Sequence, residues 1–492
     1  MNVEWRLLAR PGAETDLVVR PVIAGGLPDA AAEQERAQLT AFLAQTGFTG
    51  APGEVAFVPG RPGEPATALL GFGPAAVPDP DCVRRAAAGL ARRASRFSHL
   101  AITANDDIGA EHIRALVEGY LLGGYRYSGH HRAPAANATQ YVDVIAGGTG
   151  GSEQSPAALA AALTAGREFG MATLTARDLV NEPGGTLTPT LFAQQAAKAA
   201  AESGLECEIW QLDRLRAEQT GGLLGVTRGS LEPPALLHLA YRPATYRRRI
   251  ALVGKGVTFD GGGISIKPNA QMVDMKADMA GAAAVLGAMT VLAGQGCAVA
   301  VDGWLPLTEN MVNADPVRIG DVLRIRGGTT VEVRNADAEG RLIMADALVL
   351  AGETRPDAII DIATLTDAAA IALGRKIAAV MGTDEALEQR LIDAGRRAGE
   401  PLWRLPLPEM YRKQLDSRVA DLVNYTIGTR HGTALLAGLF LREFVPPEIP
   451  WAHLDIQATA LCDAEDGEWV PGATGFGVRT LADFLLAEAA VA

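Results

Sequence analysis

The chain has 492 residues, of which 48% are hydrophobic and 21% are charged. This length exceeds what one hydrophobic core normally supports, so two domains are expected, and the composition is typical of a folded globular protein. The formal net charge of −13 argues against a general nucleic-acid-binding protein, because such a protein needs a basic surface.

Cysteine usage and hydropathy favour a cytoplasmic protein. The cysteines are scattered without Cys-x-x-Cys spacing, which is typical of reduced thiols; they are Cys82, Cys207, Cys297 and Cys462. The first thirty residues contain acids and prolines and lack the apolar segment of a signal peptide. Because no run of 18 apolar residues occurs, we expect no membrane span.

The first 150 residues alternate strand-like and helix-like segments, which predicts a small N-terminal α/β domain over 1–150. The predicted strands are 54–59, 66–72, 99–104 and 141–146. The predicted helices are 31–46, 82–96 and 110–125. A glycine- and serine-rich linker at 147–156 precedes a helical pattern at about 157–181, so the segment 151–180 is expected to connect two domains.

The segment 181–492 repeats the alternation with stronger apolar runs, as expected for strands that are covered on both faces. The predicted strands are 206–211, 235–241, 249–254, 298–305, 357–363, 377–381 and 451–457. The predicted helices are 190–203, 282–294, 342–353, 384–397, 433–444 and 480–490. A Gly-Gly turn within 322–333 predicts a hairpin that leads directly towards Asp337.

Residues 335–342, Asn-Ala-Asp-Ala-Glu-Gly-Arg-Leu, are the most informative part of the chain. In an extended segment, residues two apart project to the same side, so Asp337 and Glu339 converge and Arg341 lies close by. Adjacent carboxylates repel each other unless positive charge lies between them. The motif therefore predicts a metal site.

A second cluster lies upstream, where the apolar run 250–253 predicts a buried strand followed by a glycine-rich loop. Lys255, Asp260, Lys267 and Asp278 lie in or just after this loop. Loops at the carboxyl ends of parallel strands are where α/β folds build their sites. Four carboxylates and two lysines from two segments therefore predict one oxygen-rich site for two metal ions.

Each of these residues also has a simpler structural explanation. Asp278 precedes a helix-like run and fits an N-cap, and Asp337 and Glu339 fit solvated acids at the start of the next helix. The two lysines fit ordinary surface side chains, and the triple glycine fits a plain tight turn. The combination of all these residue types in two glycine-rich loops favours the metal site.

These motifs resemble those of the leucyl (cytosol) aminopeptidases, peptidase family M17. The likeness rests on 253–260, 275–279 and 335–342, and similar segments occur at 177–183, 187–189, 221–234, 361–366, 451–456 and 472–475. It is strong over about 170–492 and only architectural before that. It implies a smaller, macro-like N-terminal α/β domain and a larger catalytic α/β domain over 181–492, with a mixed central sheet flanked by helices.

The resemblance implies a hydrolase that removes the N-terminal residue of peptides. It implies two divalent metal ions, Mn²⁺ or Zn²⁺ with Mg²⁺ and Co²⁺ as alternatives, which bridge and activate a hydroxide. The implied metal ligands are Lys255, Asp260, Asp278, Asp337 and Glu339, and among them Asp260 and Glu339 bridge the two ions.

The resemblance also implies two catalytic residues. Lys267 would stay charged and stabilise the tetrahedral oxyanion. Arg341 would hold a bicarbonate that serves as general base, and its planar fork suits such an anion. The resemblance further implies a homo-hexamer that acts on peptides in the cytoplasm.

The resemblance places five residues in the pocket for the substrate's N-terminal side chain: Met275, Thr364, Asp367, Gln457 and Ala460. Met275 and Thr364 match the family pattern, but Asp367 stands where glycine is usual and Gln457 where alanine is usual. We therefore expect a more polar pocket than a leucine-preferring one, in which an acid favours basic or polar N-terminal residues. Alternatively, Asp367 caps the helix predicted at 368–373 and points away.

Two other functions are open at this point. The first is a nucleic-acid-binding regulator, as some relatives are, although the acidic balance counts against it. The second is another dinuclear hydrolase such as a phosphoesterase, whose sites commonly include histidines. The cluster contains no histidine, and His238 and His453 lie in apolar, strand-like runs that favour ordinary core positions.

Overall fold

The computed structural model describes residues 3–24, 33–75, 77–104, 108–132, 138–145, 155–428 and 431–489. They fall into two compact units, Met1–Leu174 with Asp463–Pro471 and Thr175–Cys462 with Gly472–Ala492. The return of Asp463–Pro471 to the first unit was not predicted. Of the predicted linker at 147–156, residues 147–154 lie outside the described part of the chain.

The first unit contains one six-stranded sheet. Its strands are β1 (Glu4–Leu8), β2 (Leu17–Ile23), β3 (Val55–Val58), β4 (Ala66–Gly73), β5 (His99–Thr103) and β6 (Tyr141–Ile145). Their order is β1-β6-β5-β2-β4-β3, and all neighbours run parallel except β3 and β4, which are antiparallel. The helices of this part of the chain are α1 (Glu33–Thr46), α2 (Pro80–Arg93), α3 (Ala110–Gly123) and α4 (Pro156–Asn181).

The strands and helices predicted here are confirmed to within a few residues, apart from positions 31, 32 and 146, which lie outside the described residues. The sequence analysis missed β1 and β2. Both carry charged residues between their apolar positions, and β2 also contains Pro21, which weakens a strand pattern. Helix α4 matches the helix predicted at 157–181, and the boundary between the two units falls within it.

The second unit is built around a nine-stranded sheet with smaller sheets beside it. The strands are β7 (Glu206–Trp210), β8 (Ala235–Tyr241), β9 (Arg248–Gly254), β10 (Gly256–Asp260), β11 (Val299–Asn310), β12 (Val322–Arg324), β13 (Thr330–Glu332), β14 (Ala358–Ala363), β15 (Ala378–Gly382), β16 (Leu402–Arg404), β17 (Leu422–Val423), β18 (Trp451–Asp455), β19 (Leu461–Cys462) and β20 (Gly472–Ala473). All seven strands that the sequence predicted for this region are present.

Helices cover the strands of the second unit. They are α5 (Pro189–Glu202), α6 (Leu212–Ala217), α7 (Gly221–Thr227), α8 (Asn269–Met272), α9 (Ala280–Thr290), α10 (Gly340–Glu353), α11 (Asp367–Leu373), α12 (Glu385–Ala398), α13 (Thr433–Arg442) and α14 (Val478–Glu488), with 3₁₀ turns at Met275–Ala277 and Glu409–Leu415. The six helices predicted here are present, and the short helices α6, α7 and α8 were missed. Among the described residues, none of the helices combines the length and apolarity that a membrane crossing requires.

The main sheet runs in the order β16-β15-β18-β14-β9-β11-β8-β7, and β10 pairs with β11. Strands β18, β14, β9 and β11 are parallel neighbours. Strand β15 runs antiparallel to β18 and parallel to β16, and β8 runs antiparallel to both β11 and β7. The expected mixed central sheet flanked by helices is therefore confirmed. Because β9, β14 and β18 run in the same direction, the residues that follow them meet at one edge of the sheet.

The predicted hairpin is also present. Strands β12 and β13 pair antiparallel. In the turn between them, Gly327 and Gly328 have φ values of 83° and 104°, which residues other than glycine rarely adopt. The hairpin leads into the segment before α10, and it also contacts α10 further along. There the fully buried Asp346 accepts hydrogen bonds of 2.8 Å from the backbone N–H groups of Arg326 and Leu223.

Replacing Asp346 by alanine should destabilise the second unit. The change leaves two backbone donors without their acceptor, the buried N–H of Leu223 and the partly buried N–H of Arg326, and a buried donor without an acceptor costs about 1–3 kcal/mol. We expect the free energy of unfolding measured with denaturant to fall by about 2–4 kcal/mol. Asp346→Asn retains one side-chain oxygen and should lose less; equal losses in the two variants would contradict this account.

Candidate metal centre

All the predicted site residues line one cavity of about 410 Å³ in the second unit. The elements explain this convergence. Lys255 follows β9, Asp260 ends β10, and Thr364 follows β14. The segment before α10 brings Asp337 and Glu339 to the same edge of the sheet. The convergence that the two glycine-rich loops predicted is therefore present in the structure.

One half of the site is organised around the Lys255 ammonium group. Lys255 is 3% exposed, and its Nζ lies 2.6 Å from Asp278 Oδ1 and 2.9 Å from Glu339 Oε1. It also donates to the carbonyl oxygen of Thr364 at 2.9 Å. The Thr364 hydroxyl in turn donates to Asp278 Oδ1 at 2.8 Å. Asp278 therefore binds its neighbours in the site and does not cap α9, whose N-cap is Met279.

The other half is organised around Lys267. Its Nζ lies 2.8 Å from Asp260 Oδ2 and 2.6 Å from Asp337 Oδ1. The side chain of Lys267 is 13% exposed and that of Asp337 is 29% exposed, so this half is the more open one. Neither lysine is an ordinary surface residue, and the buried Glu339 is not a solvated acid.

Asn310 belongs to the site and was missed by the sequence analysis. It ends β11, directly opposite Asp260 in the strand pairing. Its side-chain N–H₂ donates to Asp260 Oδ1 at 2.8 Å, to the Ala336 carbonyl at 3.0 Å and to Glu339 Oε2 at 3.3 Å. This one amide thereby ties the two acidic segments together. The only signal for it in the sequence is an asparagine at the end of an apolar strand.

Glycines let the chain approach this closely. Gly262 and Gly263 have φ values of 89° and 57°, and the Gly262 N–H donates to Asp260 Oδ1 at 2.9 Å. The triple glycine is thus a tight turn, as the simpler explanation held, and the turn also orients a site carboxylate. At the start of α10, a β-carbon added to Gly340 would lie only 2.6 Å from Lys255 Nζ.

Arg341 is buried beside the acidic cluster. Its Nη1 donates to the carbonyl oxygen of Asn424 at 2.9 Å, and the Asn424 side chain donates to the carbonyls of Asn335 and Ala338. Within the described residues, Arg341 Nε has no hydrogen-bond partner. Burial lowers the pKa of Arg341 to about 10, so the guanidinium remains charged at neutral pH.

The donor set fits divalent metal ions. Asp260, Asp337 and Glu339 each offer an oxygen, and these oxygens lie within 4.8 Å of one another. Asp278 Oδ2 and Asp337 Oδ1 are buried and make no hydrogen bond of good geometry within the described residues, although Asp337 Oδ1 is in ion-pair contact with Lys267. Converging carboxylate oxygens are ligands that hard and borderline dications prefer.

The electrostatics of the cluster support the same fit. Burial and the neighbouring carboxylates of Asp260 and Glu339 raise the pKa of Asp337 to about 7. Although burial opposes it, the carboxylates of Asp278, Glu339 and Asp260 raise the pKa of Lys255. The raised pKa values of Asp337 and Lys255 both indicate an excess of negative charge in the cluster, which a bound cation would relieve.

The five predicted pocket residues line the same cavity. Asp367 is the first residue of α11 and is exposed. The helix is capped by Thr366, whose hydroxyl accepts from the Ala369 N–H, so the alternative that Asp367 is the cap is wrong. Among the described residues, the Asp367 carboxylate has no ion-pair or hydrogen-bond partner, and it is available to a ligand in the cavity.

The histidines lie outside the metal centre. His453 is fully buried, with its Nδ1 2.5 Å from Asp361 Oδ1. His238 is partly exposed and pairs with the buried Asp302 at 2.7 Å. Neither lines the cavity.

The fold and the site together define a two-unit α/β protein with a carboxylate- and lysine-rich metal centre at the carboxyl ends of parallel strands. Residues 174–482 match the model of the "Cytosol aminopeptidase family, catalytic domain". Residues 24–134 match that of the "Cytosol aminopeptidase family, N-terminal domain". The chain belongs to the cytosol aminopeptidase family, and it is a metal-dependent hydrolase that acts at the N-terminus of peptides. The phosphoesterase alternative is therefore wrong.

Similar proteins cover nearly the whole chain. A "Probable cytosol aminopeptidase" of Leifsonia xyli is 44% identical over 86% of this chain and 85% of its own length. A "Probable cytosol aminopeptidase" of Streptomyces coelicolor is 41% identical over 96% of this chain and 96% of its own length. Among solved structures, the bottromycin maturation enzyme BotP in complex with Mn is 40% identical, covers 96% of this chain and 100% of its own, and has a TM-score of 0.87. A mutant tomato leucine aminopeptidase is 29% identical with a TM-score of 0.86, covering 99% and 97%.

Substituting Gly340 by alanine should damage the metal centre while leaving the fold intact. The added methyl group would occupy the position of the Lys255 side chain and push its amine away from Asp278 and Glu339. We expect divalent-ion affinity, measured by calorimetry, to fall by about 10–100-fold. Gly185→Ala is the matched control, because nothing lies within 4 Å of a β-carbon there. Unchanged ion binding by the Gly340 variant would refute the placement of Lys255.

Proposed function

We propose that this chain removes the N-terminal residue of peptides with two divalent metal ions held by Lys255, Asp260, Asp278, Asp337 and Glu339. The observation that carries the proposal is the convergence of these side chains on one cavity, with three carboxylate oxygens within 4.8 Å of one another. When bound, such ions supply an activated water and a Lewis acid for the scissile carbonyl.

The contacts of the cluster support a division of the ligands into two sets. Lys255 and Asp278 lie together at 2.6 Å and would hold one ion. Asp337 would hold the other with a carboxylate oxygen and its backbone carbonyl. Asp260 and Glu339 lie between these groups, joined by the Asn310 amide, and would serve both ions. As a ligand, Lys255 must be neutral, and a neighbouring dication lowers the pKa of an amine in this way.

Lys267 is the proposed electrostatic catalyst. Although burial opposes it, Asp260, Glu339 and Asp337 raise the pKa of Lys267, so its ammonium stays charged. The side chain lines the cavity and is partly open to it. A fixed positive charge in a site shielded from water stabilises a developing oxyanion strongly.

Arg341 is the proposed anchor for a bicarbonate that serves as general base. Its guanidinium lines the cavity, and the Asn424 carbonyl holds Nη1 in place. The remaining N–H groups of the fork suit a planar anion. A bicarbonate there would receive the proton of the attacking water.

The metal and the assembly are part of the same proposal. Mn²⁺ or Zn²⁺ suits a site of carboxylate oxygens with one amine, and the solved BotP complex contains Mn. We further propose that the protein is a cytosolic homo-hexamer, as the resemblance to the family implies.

We also propose that the cavity favours a basic N-terminal residue. Asp367 and Gln457 line it beside Met275, Thr364 and Ala460. A free carboxylate near the position of a substrate side chain attracts an arginine or a lysine, by about 1 kcal/mol or more at 4 Å. Aliphatic side chains gain nothing from this charge.

Removal of metal should abolish the activity. We expect hydrolysis of an aminoacyl anilide to fall to background after exhaustive chelation and dialysis, because Lys267 and Arg341 alone provide no activated nucleophile. Added Mn²⁺ should restore it, with the ion content of each sample checked by elemental analysis. An ion-free sample that retains its original rate would contradict the proposal.

Neutralising Asp367 should change the substrate preference. For Asp367→Asn, we expect the ratio of kcat/KM for arginyl and lysyl anilides over leucyl anilide to fall by about 5-fold or more, the equivalent of about 1 kcal/mol. Asp393→Asn, on α12 and outside the cavity, is the matched control. A strong preference of the unaltered protein for leucyl anilide would sink this part of the proposal.

A further inference from the structure

A buried carboxylate outside the proposed ligand set organises one wall of the cavity. Asp455 ends β18 and is fully buried. Its Oδ1 accepts hydrogen bonds from the backbone N–H groups of Leu365 and Gln457, both at 3.2 Å, and from that of Thr366 at 3.4 Å. Its Oδ2 accepts from the Thr366 hydroxyl at 2.6 Å. One side chain thus binds the turn that leaves β14.

That turn is in direct contact with the proposed metal ligands. Thr364 accepts a hydrogen bond from Lys255 Nζ through its carbonyl oxygen and donates one to Asp278 Oδ1 through its hydroxyl. Thr364 is 4% exposed, so solvent offers little substitute for these bonds. The position of Lys255 and Asp278 therefore depends on a segment whose next two N–H groups are held by Asp455.

Glu339 contacts this network only through Lys255, and the two remaining proposed ligands, Asp260 and Asp337, are held by other groups. Asp260 is held by Asn310, by the Gly262 N–H and by Lys267. Asp337 contacts Lys267, and its backbone N–H donates to the Asn335 side chain. These contacts come from β11, from the glycine turn and from the segment before α10. They remain when the turn after β14 is disturbed.

We infer that Asp455 is a positioning residue that holds the Thr364–Thr366 turn so that Lys255 and Asp278 form their half of the metal centre. The inference rests on the two-ion site of the proposed function. Asp455 suits this role because a carboxylate is an acceptor only, and here it accepts from three N–H groups and one hydroxyl. Groups that orient metal ligands in this way typically change metal affinity by about 10–100-fold when removed.

The test is calorimetric titration of the metal-free protein with Mn²⁺. Thr366→Val deletes the hydroxyl that donates to Asp455 and keeps the side-chain shape. Asp455→Asn, in the second variant, keeps one acceptor oxygen. We expect one of the two ions to bind about 10–100-fold more weakly in both variants, and the other to bind as in the unaltered protein. Thr366→Ser, which keeps the hydroxyl, should restore both affinities.

A variant that loses stability without disturbing the turn after β14 should keep its affinity for both ions. Asp384→Ala removes another aspartate that binds backbone, the N-cap of α12, and it should leave both affinities unchanged. Three results would each overturn the inference: an equal loss of affinity for both ions in Thr366→Val and Asp455→Asn, no loss of affinity in these variants, or the same selective loss in Asp384→Ala.

An unaltered protein that binds no pair of ions would overturn the proposed function, and the inference with it. Normal binding of two ions by Thr366→Val and Asp455→Asn would overturn the inference alone.

Discussion

Four largely buried carboxylates share one cavity, and their mutual repulsion is the constraint that the rest of the site must satisfy. Lys255 and Lys267 each lie between two of these acids, at distances of 2.6 to 2.9 Å. Asn310 adds a neutral donor between Asp260 and Glu339. Unpaired charges at this depth would be far more costly than the fold could tolerate. The second unit therefore requires positively charged groups beside these carboxylates.

The architecture brings the charges together at a low conformational cost. Three parallel strands, β9, β14 and β18, end side by side. Lys255 and Thr364 directly follow β9 and β14, and Asp455 is the last residue of β18, so all three lie at that edge. The acidic segment before α10 reaches the same place because Gly340 leaves room for the lysine side chain. A strand slipped by one residue would turn these side chains to the opposite face. The register of the strands in the main sheet thus determines which side chains line the cavity.

The sequence predicted those parts of the site in which several chemically distinctive residues lie close together in the chain. Asp337, Glu339 and Arg341 fall within five positions, and the glycine turn marks Asp260. Asn310, Asn424 and Asp455 were not assigned to the site, because each is a single polar residue that reaches it only through the tertiary fold. The strands β1 and β2 were missed for a similar reason, since only their sheet neighbours make their mixed patterns strand-like.

The two halves of the metal centre differ in how they are held, and this difference follows from the elements that build them. The half with Asp260 and Asp337 rests on β10, β11 and the segment before α10, and it opens towards the cavity. The half with Lys255 and Asp278 is almost fully buried and contacts the turn after β14, and Asp367 directly follows this turn as the first residue of α11. A change in that turn therefore reaches both the proposed ligand lysine and the wall that would face the substrate's side chain. The proposed metal binding and the proposed substrate preference would thus be coupled through one short segment, to which Asp455 is hydrogen-bonded.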